Sequence, residues 1–141
     1  MFKLAGSNDR SDTVVLRAPR GAASLPVIRV VIGGVASRHA LSVEQLDDVE
    51  LAVETLLGDE SAEGSDLVLT IWVSEDTFSV IVDGLCSPAL RQTLSNPDRR
   101  ERLEERGLDA RVLLDSLVDS YRIVDGGTAD CFAIEMEKRI F

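Results

Sequence analysis

The chain has few of the residues on which metal sites, disulfide scaffolds and catalytic triads depend. Its 141 residues include two cysteines, one histidine, one tryptophan and one tyrosine. Two cysteines are too few to staple a domain of this size, and they are typical of a protein from a reducing compartment. A single histidine gives little material for a zinc site or a histidine-based triad. We therefore expect no metal centre and a cytoplasmic location.

Positive charge is also scarce. Fifteen lysines and arginines face 25 acidic residues, which gives a formal net charge of −10. Phosphate backbones and anionic membrane surfaces are bound by clustered basic side chains, so we expect neither nucleic acid nor a membrane as a partner. No apolar run reaches the ~18–20 residues of a membrane span, and no apolar leader is visible near the N-terminus.

Apolar residues make up 45% of the sequence, which predicts a folded globule. The first eleven residues are polar, and we expect a flexible N-terminus over residues 1–11. The rest, residues 12–141, has the length of a single domain.

Two helices are predicted in the first half. Apolar residues at helical spacing indicate one helix from Leu25, with Ser24 as its cap and Pro26 in its first turn. The second begins with a capping box of Ser42 and Gln45 and ends at Gly58. In the first helix, glycines 33 and 34 lower helix stability, so we expect them to serve close packing or a contact.

Three carboxylates of the second helix, those of Asp47, Glu50 and Glu54, are spaced to share a face. Such a face suits a magnesium ion or a general base, but it is more typical of an ordinary solvated helix surface, because exposed charges are the rule. The sequence alone leaves both interpretations open.

The remaining pattern predicts a sheet. Alternation of apolar and polar residues predicts strands over 12–18, 67–74 and 77–83, and a closing hairpin of 121–124 with 131–138. The charged segment 87–107 is expected to be irregular, with a short helix from Asn96, and to form a mobile cover before a helix over 108–119. Hairpin strands with helices between them predict an α+β two-layer sandwich, whose mixed, mostly antiparallel sheet is covered on one face by helices.

Several strand and helix ends carry candidate binding residues. Asp83 and Gly84 end a strand, where the carboxylate suits a ligand amino group or simply a turn. Gly107 precedes a helix and suits either a bound phosphate or an ordinary helix start. The segment from Gly126 to Thr128 is most typical of a hairpin turn. Cys86 has no sequence neighbour that would lower its thiol pKa, so we interpret it as a packing residue.

The order of these segments resembles that of a known family. The similarity is carried by Leu25–Arg29, Leu46–Glu54, Phe78–Gly84, Gly107–Asp119 and Gly126–Thr128. Together they resemble the bacterial anti-sigma regulatory factors, the serine-kinase branch of the histidine-kinase-like (GHKL) ATPases. The similarity extends over residues 12–139.

This resemblance implies a histidine-kinase-like ATPase fold with a nucleotide pocket for ATP and Mg²⁺. It implies Glu54 as the catalytic base, Asp83 with Gly84 at the adenine, and Gly107 and Thr128 around the nucleotide. It also implies three partners: a sigma factor, an anti-anti-sigma antagonist, and a second copy of the chain in a homodimer that uses the first helix.

The magnesium motif departs from the family pattern. The family has a glutamate followed four residues later by asparagine, but the fourth residue after Glu54 is Gly58. In the ungapped alternative, Thr55 replaces the glutamate and Asp59 the asparagine. Neither register supplies both ligands, so no metal-binding residue is assigned.

The adenine and phosphate motifs depart as well. Leu85 stands where the family has the glycine of its Asp-x-Gly motif, and Asp109 replaces a glycine of the second glycine box. A carboxylate within about 4–6 Å of a phosphate disfavours the bound anion. We therefore expect ATP binding to be weak or lost.

Three functions remain as hypotheses. The first is an anti-sigma-factor-like regulator of transcription that acts by sequestration. The alternative is an active ATP-dependent serine kinase that phosphorylates an anti-anti-sigma antagonist, with Glu54 as base. The third is a structural module that uses this fold only to dimerise or dock.

Overall fold

The computed structural model describes residues 13–58, 60–95, 109–125 and 130–140. Their strands form one five-stranded antiparallel sheet of order β1-β2-β3-β5-β4. The strands are β1 Val14–Ala18, β2 Leu67–Ser74, β3 Thr77–Leu85, β4 Ser120–Asp125 and β5 Phe132–Arg139. The N-terminal segment predicted to be flexible, residues 1–11, lies outside the described residues.

Helices within these ranges are α1 Leu25–Ser37, α2 Val43–Leu57, α3 Pro88–Ser95 and α4 Ala110–Leu117. A short 3-10 turn at Ala22–Ser24 leads into α1. Helix α2 packs between α1 and α4, and α3 packs on α4. In the described ranges, no helix has the length and apolarity required to cross a membrane.

One face of the sheet builds the core together with the helices. Alternate side chains of each strand point to the helical layer, where they are almost fully buried; they include Leu16, Leu69, Ile71, Val80, Val82 and Ile134. Helix α2 contributes Val49, Val53 and Leu56 to the same cluster. The predicted α+β architecture is confirmed, but the sheet is not mixed: every pairing between the described strands is antiparallel.

The other face of the sheet, called here the open face, carries the alternate side chains. Trp72 and Ala133 are buried there, but neither belongs to the helix-side core cluster. Across the open face, Asp83 lies between Val68 and Ala133 in the strand register. Side-chain alternation thus separates two chemically different surfaces.

The capping box predicted for α2 is confirmed. Ser42 Oγ accepts the backbone N–H of Gln45 at 3.0 Å, and Gln45 Oε1 accepts that of Ser42 at 2.8 Å. Gln45 Nε2 also donates to the carbonyl oxygens of Arg139 and Ile140. The same side chain therefore starts the helix and fixes the chain that follows β5.

The capping role predicted for Ser24 is wrong. Its side chain makes no capping bond, and its hydroxyl instead donates to the carbonyl oxygen of Pro19 at 2.6 Å. The preceding 3-10 turn already continues into α1, so Ser24 has helical dihedral angles that turn its hydroxyl away from the first N–H groups. Pro26 lies in the first turn, as predicted.

The segment after β3 is not irregular throughout, which corrects the sequence prediction. Pro88–Ser95 is helix α3, with Ser87 Oγ accepting the backbone N–H of Leu90 at 3.2 Å. Leu90 is buried and Leu94 packs against the core, at the i, i+4 spacing of a helix that covers apolar surface. The short helix predicted from Asn96 lies outside the described residues.

Among the described residues, the glycine pair of α1 does not serve close packing. A Cβ atom added at Gly33 or Gly34 would meet no described atom within 4 Å apart from the adjoining residues and backbone of its own helix. Nothing in the described part of the chain therefore requires glycine at these positions, and a contact with another molecule remains a prediction.

Candidate functional site

Glu54 lies near the end of α2, where it pairs with a basic residue of α1. The Arg29 guanidinium lies 2.5 Å from the Glu54 carboxylate, and both side chains are partly exposed. The Arg29 guanidinium thus occupies a position beside the carboxylate that a substrate hydroxyl would need to approach. The candidate base is thus engaged in an ion pair between two helices.

Asp47, Glu50 and Glu54 share one face of α2, as the sequence predicts. Burial raises the pKa of Glu50, Arg29 opposes this effect, and the charges of Asp47 and Glu54 add to it. Within the described ranges, no three His, Cys, Asp or Glu residues are arranged to hold a metal ion. The geometry is that of a partly solvated acidic helix face.

Asp83 lies on the other side of the sheet from Glu54. Its neighbour Val82 is fully buried on the helix side, so strand alternation directs the Asp83 side chain to the open face. The register shifts between Asp83 and Leu85, with Gly84 as the additional residue at φ +99°. Because of this bulge, Leu85 returns to the core while Asp83 stays outside it.

The carboxylate of Asp109 caps α4. Its Oδ1 accepts the backbone N–H of Val112 at 3.1 Å, the third residue along the helix. Free N–H groups at a helix N-terminus are what a phosphate would bind, and here one of them is already bonded to a fixed negative charge. The other two residues assigned to the nucleotide, Gly107 and Thr128, lie outside the described residues.

The described residues do not fit a magnesium nucleotide. Glu54 faces the helix side and is paired with Arg29, whereas Asp83 faces the opposite side of the sheet. A cavity of about 390 Å³ does adjoin Glu54, but it also has Glu60 on its wall, with Leu25, Leu57 and Leu67. Both carboxylates are paired with arginines, and none of the described residues that line this cavity is basic, so its wall offers no cation to a triphosphate.

A second polar cluster, which sequence reasoning missed, lies at the end of β3. Arg20 and Glu60 form an ion pair of 3.1 Å, and their side chains are only 4% and 3% exposed. Arg20 Nη2 also donates to the carbonyl oxygen of Gly84. Glu60 accepts the backbone N–H groups of Cys86 and Ser87 at 2.7 and 3.0 Å. These contacts pair the two buried charges with each other and with backbone groups, while Arg20 Nε is buried with no hydrogen-bond partner among the described residues.

Cys86 and Cys131 are joined by a disulfide beside this cluster. The interpretation of Cys86 as a packing residue is therefore wrong, and a disulfide is not what two cysteines typical of a reducing compartment are expected to form. Leu85 and Phe132 are paired in the β3–β5 ladder, so the next residue outward on each strand is a cysteine. Positions 45 residues apart in the chain meet only because the strands pair, and the spacing alone gives no signal for this.

Comparison with known proteins adds no family assignment. The chain matches no family model, and no curated protein sequence matches it. The resemblance to anti-sigma regulatory factors thus remains a prediction from the motif order.

Proposed function

We propose that this chain is an anti-sigma-factor-like regulatory protein that acts in the cytoplasm by sequestering a sigma factor, without nucleotide chemistry. The motif order supports the family, and helices on one face of an antiparallel sheet agree with it at the level of architecture. The histidine-kinase-like ATPase fold is part of the same proposal.

The observation that carries the binding role is the separation of Glu54 from Asp83. A kinase positions its nucleotide and a base together, because phosphoryl transfer depends on positioning and charge stabilisation. Here Glu54 forms an ion pair with Arg29 between two helices, whereas Asp83 faces away from the helices. Sequestration requires only a binding surface, so it is compatible with the separation of these two carboxylates.

The surface that we assign to the sigma factor is the acidic face of α2, defined as Val43, Glu44, Asp47, Glu50, Leu51 and Glu54. Val43 and Leu51 are 76% and 46% exposed, which is unusual for apolar side chains of this size. Four carboxylates surround them on the same side of the helix. A basic, DNA-binding sigma domain is complementary to this face in charge, and the attraction would accelerate its association.

Two further partners belong to the proposal. An anti-anti-sigma antagonist would release the sigma factor by competing for the protein. A second copy would pack on the outer side of α1, where Val30 is 72% exposed next to the unobstructed Gly33 and Gly34. Small side chains allow two helix backbones to approach closely.

The decisive experiment is transcription in vitro with RNA polymerase and each sigma factor encoded near this gene. We expect inhibition of one holoenzyme in proportion to added protein, with no need for ATP. Absence of inhibition for every sigma factor would contradict the proposal.

Calorimetric titration with ATP and Mg²⁺ distinguishes the kinase alternative. We expect no binding at millimolar nucleotide. Tight binding, together with transfer of the γ-phosphoryl group to a serine of an antagonist, would replace sequestration alone by the serine-kinase function.

A further inference from the structure

The disulfide between Cys86 and Cys131 lies next to a buried positive charge. Arg20 Nη2 is 3.2 Å from Cys86 Sγ, and its guanidinium is the cation of the ion pair with Glu60. A neighbouring guanidinium favours the thiolate over the thiol, and a stabilised thiolate is the better leaving group in disulfide exchange. The chain thus places a leaving-group stabiliser on one sulfur of its own disulfide.

The bond is also accessible. Both cysteines are only half-buried, and they border a cavity of about 370 Å³ whose wall carries the charged side chains of Arg20, Glu60 and Glu63. A thiol reductant must reach a sulfur in line with the S–S bond, and a half-buried bond beside a cavity allows this approach.

The two sulfurs remain neighbours if the bond breaks. Strands β3 and β5 pair from Thr77 with Arg139 to Leu85 with Phe132, directly beside the cysteines. The ladder therefore holds the two cysteine backbones together without the covalent bond, which favours reversible closure.

Breaking the bond changes the charges around the start of α3. Glu60 accepts the N–H groups of Cys86 and Ser87, and Ser87 caps α3 through its hydroxyl. A thiolate on Cys86 would add a second negative charge that shares Arg20 with Glu60. Two anions competing for one buried cation weaken the bonds that fix Ser87 and hence the first turn of α3.

We propose that Cys86–Cys131 is a redox-active disulfide that exchanges with a thiol such as glutathione, and that its reduction loosens the N-terminal turn of α3. The thiolate of the first glutathione attacks Cys131 Sγ, the S–S bond breaks, and Cys86 leaves as a thiolate beside Arg20. A second glutathione thiolate then attacks the glutathione sulfur of the mixed disulfide. Cys131 is released and takes up a proton, and the two glutathiones leave as one disulfide, having supplied two electrons. This inference does not depend on the proposed function.

The first test uses the unmodified protein under native conditions. Brief treatment with glutathione, trapping with iodoacetamide and peptide mass spectrometry should place the glutathione adduct on Cys131 and the alkyl group on Cys86. Adducts mainly on Cys86, or a bond that resists reduction until the protein is denatured, would overturn the proposal.

The second test compares two matched variants, Cys131→Ser and Cys86→Ser, each of which leaves one thiol. The pH midpoint of alkylation should lie below the ~8.5 of a free cysteine for Cys86 but not for Cys131. Each unit of this difference should accelerate the reaction of Cys86 at neutral pH roughly threefold. Equal midpoints contradict the role of Arg20. Circular dichroism checks that both variants fold, and the first test decides the matter if they do not.

Amide hydrogen exchange tests whether reduction loosens the N-terminal turn of α3. In the reduced protein, the amides of Leu90 and Arg91 should exchange faster than in the oxidised protein, whereas those of the central strand β3 should not change. Unchanged protection at α3 would show that reduction does not alter this helix and would refute the proposal that it loosens the N-terminal turn.

Discussion

Arg29 and Glu54 form an ion pair of 2.5 Å that joins α1 to α2. The glutamate that the family resemblance assigns as a base is therefore already in contact with a side chain of the neighbouring helix. Because both side chains are partly exposed, we expect the pair to contribute only about 0–1 kcal/mol to stability.

The first prediction concerns Glu54→Gln. If the protein acts by sequestration, this change removes one of the four carboxylates of the docking face and should weaken inhibition of the target holoenzyme by less than about tenfold, the effect of about 1.4 kcal/mol. Transcription in vitro with titrated inhibitor measures it. If inhibition instead falls a hundredfold or more, and adding excess protein does not restore it, this carboxylate has a chemical role.

The second prediction concerns the acidic face of α2. Replacing Asp47 by lysine reverses one exposed charge and should slow association with a basic sigma domain severalfold at low salt, with little effect at high salt. The matched control is Glu137→Lys, which makes the same change at an exposed position of β5 on the open face. Equal association rates for the two variants in stopped-flow experiments would remove α2 as the docking surface.

The third prediction concerns Glu60→Ala. This change leaves the buried Arg20 guanidinium without its counter-ion and two N–H groups without their acceptor, so we expect a loss of about 3–5 kcal/mol of unfolding free energy. Glu63→Ala is the control, because that residue is exposed in the same loop and should change stability by no more than about 0.5 kcal/mol. Urea denaturation followed by circular dichroism compares them.

The fourth prediction concerns pH. Since the pKa of Glu50 is raised above its ordinary 4.5, the folded protein binds this proton more tightly than the unfolded chain does. The resulting stability is present below pH 4.5 and is lost as pH rises through the folded-state pKa. Glu50→Gln removes that loss, so the variant should be slightly more stable than the unmodified protein at pH 7 and equal to it at pH 4.

The same helix supplies a control for this effect. Glu44 lies in the first turn of α2, where a negative charge is stabilising, so Glu44→Gln should lower stability at pH 7. Thermal melts across the pH range distinguish the two signs. A Glu50→Gln variant that is less stable at pH 7 would show that attraction to Arg29 outweighs burial.

Local signals explain what the sequence predicts correctly. The capping box of Ser42 and Gln45 needs only residues three positions apart, and strand alternation needs only the next residue but one. These short-range patterns placed α2 and both strands of the β2–β3 hairpin, and they also located Glu54 and Asp83 on their elements.

Long-range relationships explain what the sequence does not predict. The partners Arg20 and Glu60 are 40 residues apart, and each stands in a loop without periodicity. The sequence does not predict helix α3, because its polar residues mask the spacing of Leu90 and Leu94. For Asp83, the sequence predicts the strand but not the direction of the side chain. That direction depends on which of the two alternating groups of side chains in β3 packs against the helices.

The position of Asp83 has a consequence for any attempt to build a nucleotide site in this protein. Successive side chains of a strand point to opposite faces of the sheet, so the face is set by the position in the strand, and a point substitution cannot change that position. Turning Asp83 inward requires one residue to be inserted or deleted in β3, and the same shift would turn part of the interior, including Val80 and Val82, out to solvent. Installing an inward carboxylate at Val82 instead would bury a charge among apolar side chains. Either route would disrupt the hydrophobic core in order to add an inward-facing carboxylate. We therefore expect that single mutations cannot convert this protein into an ATPase.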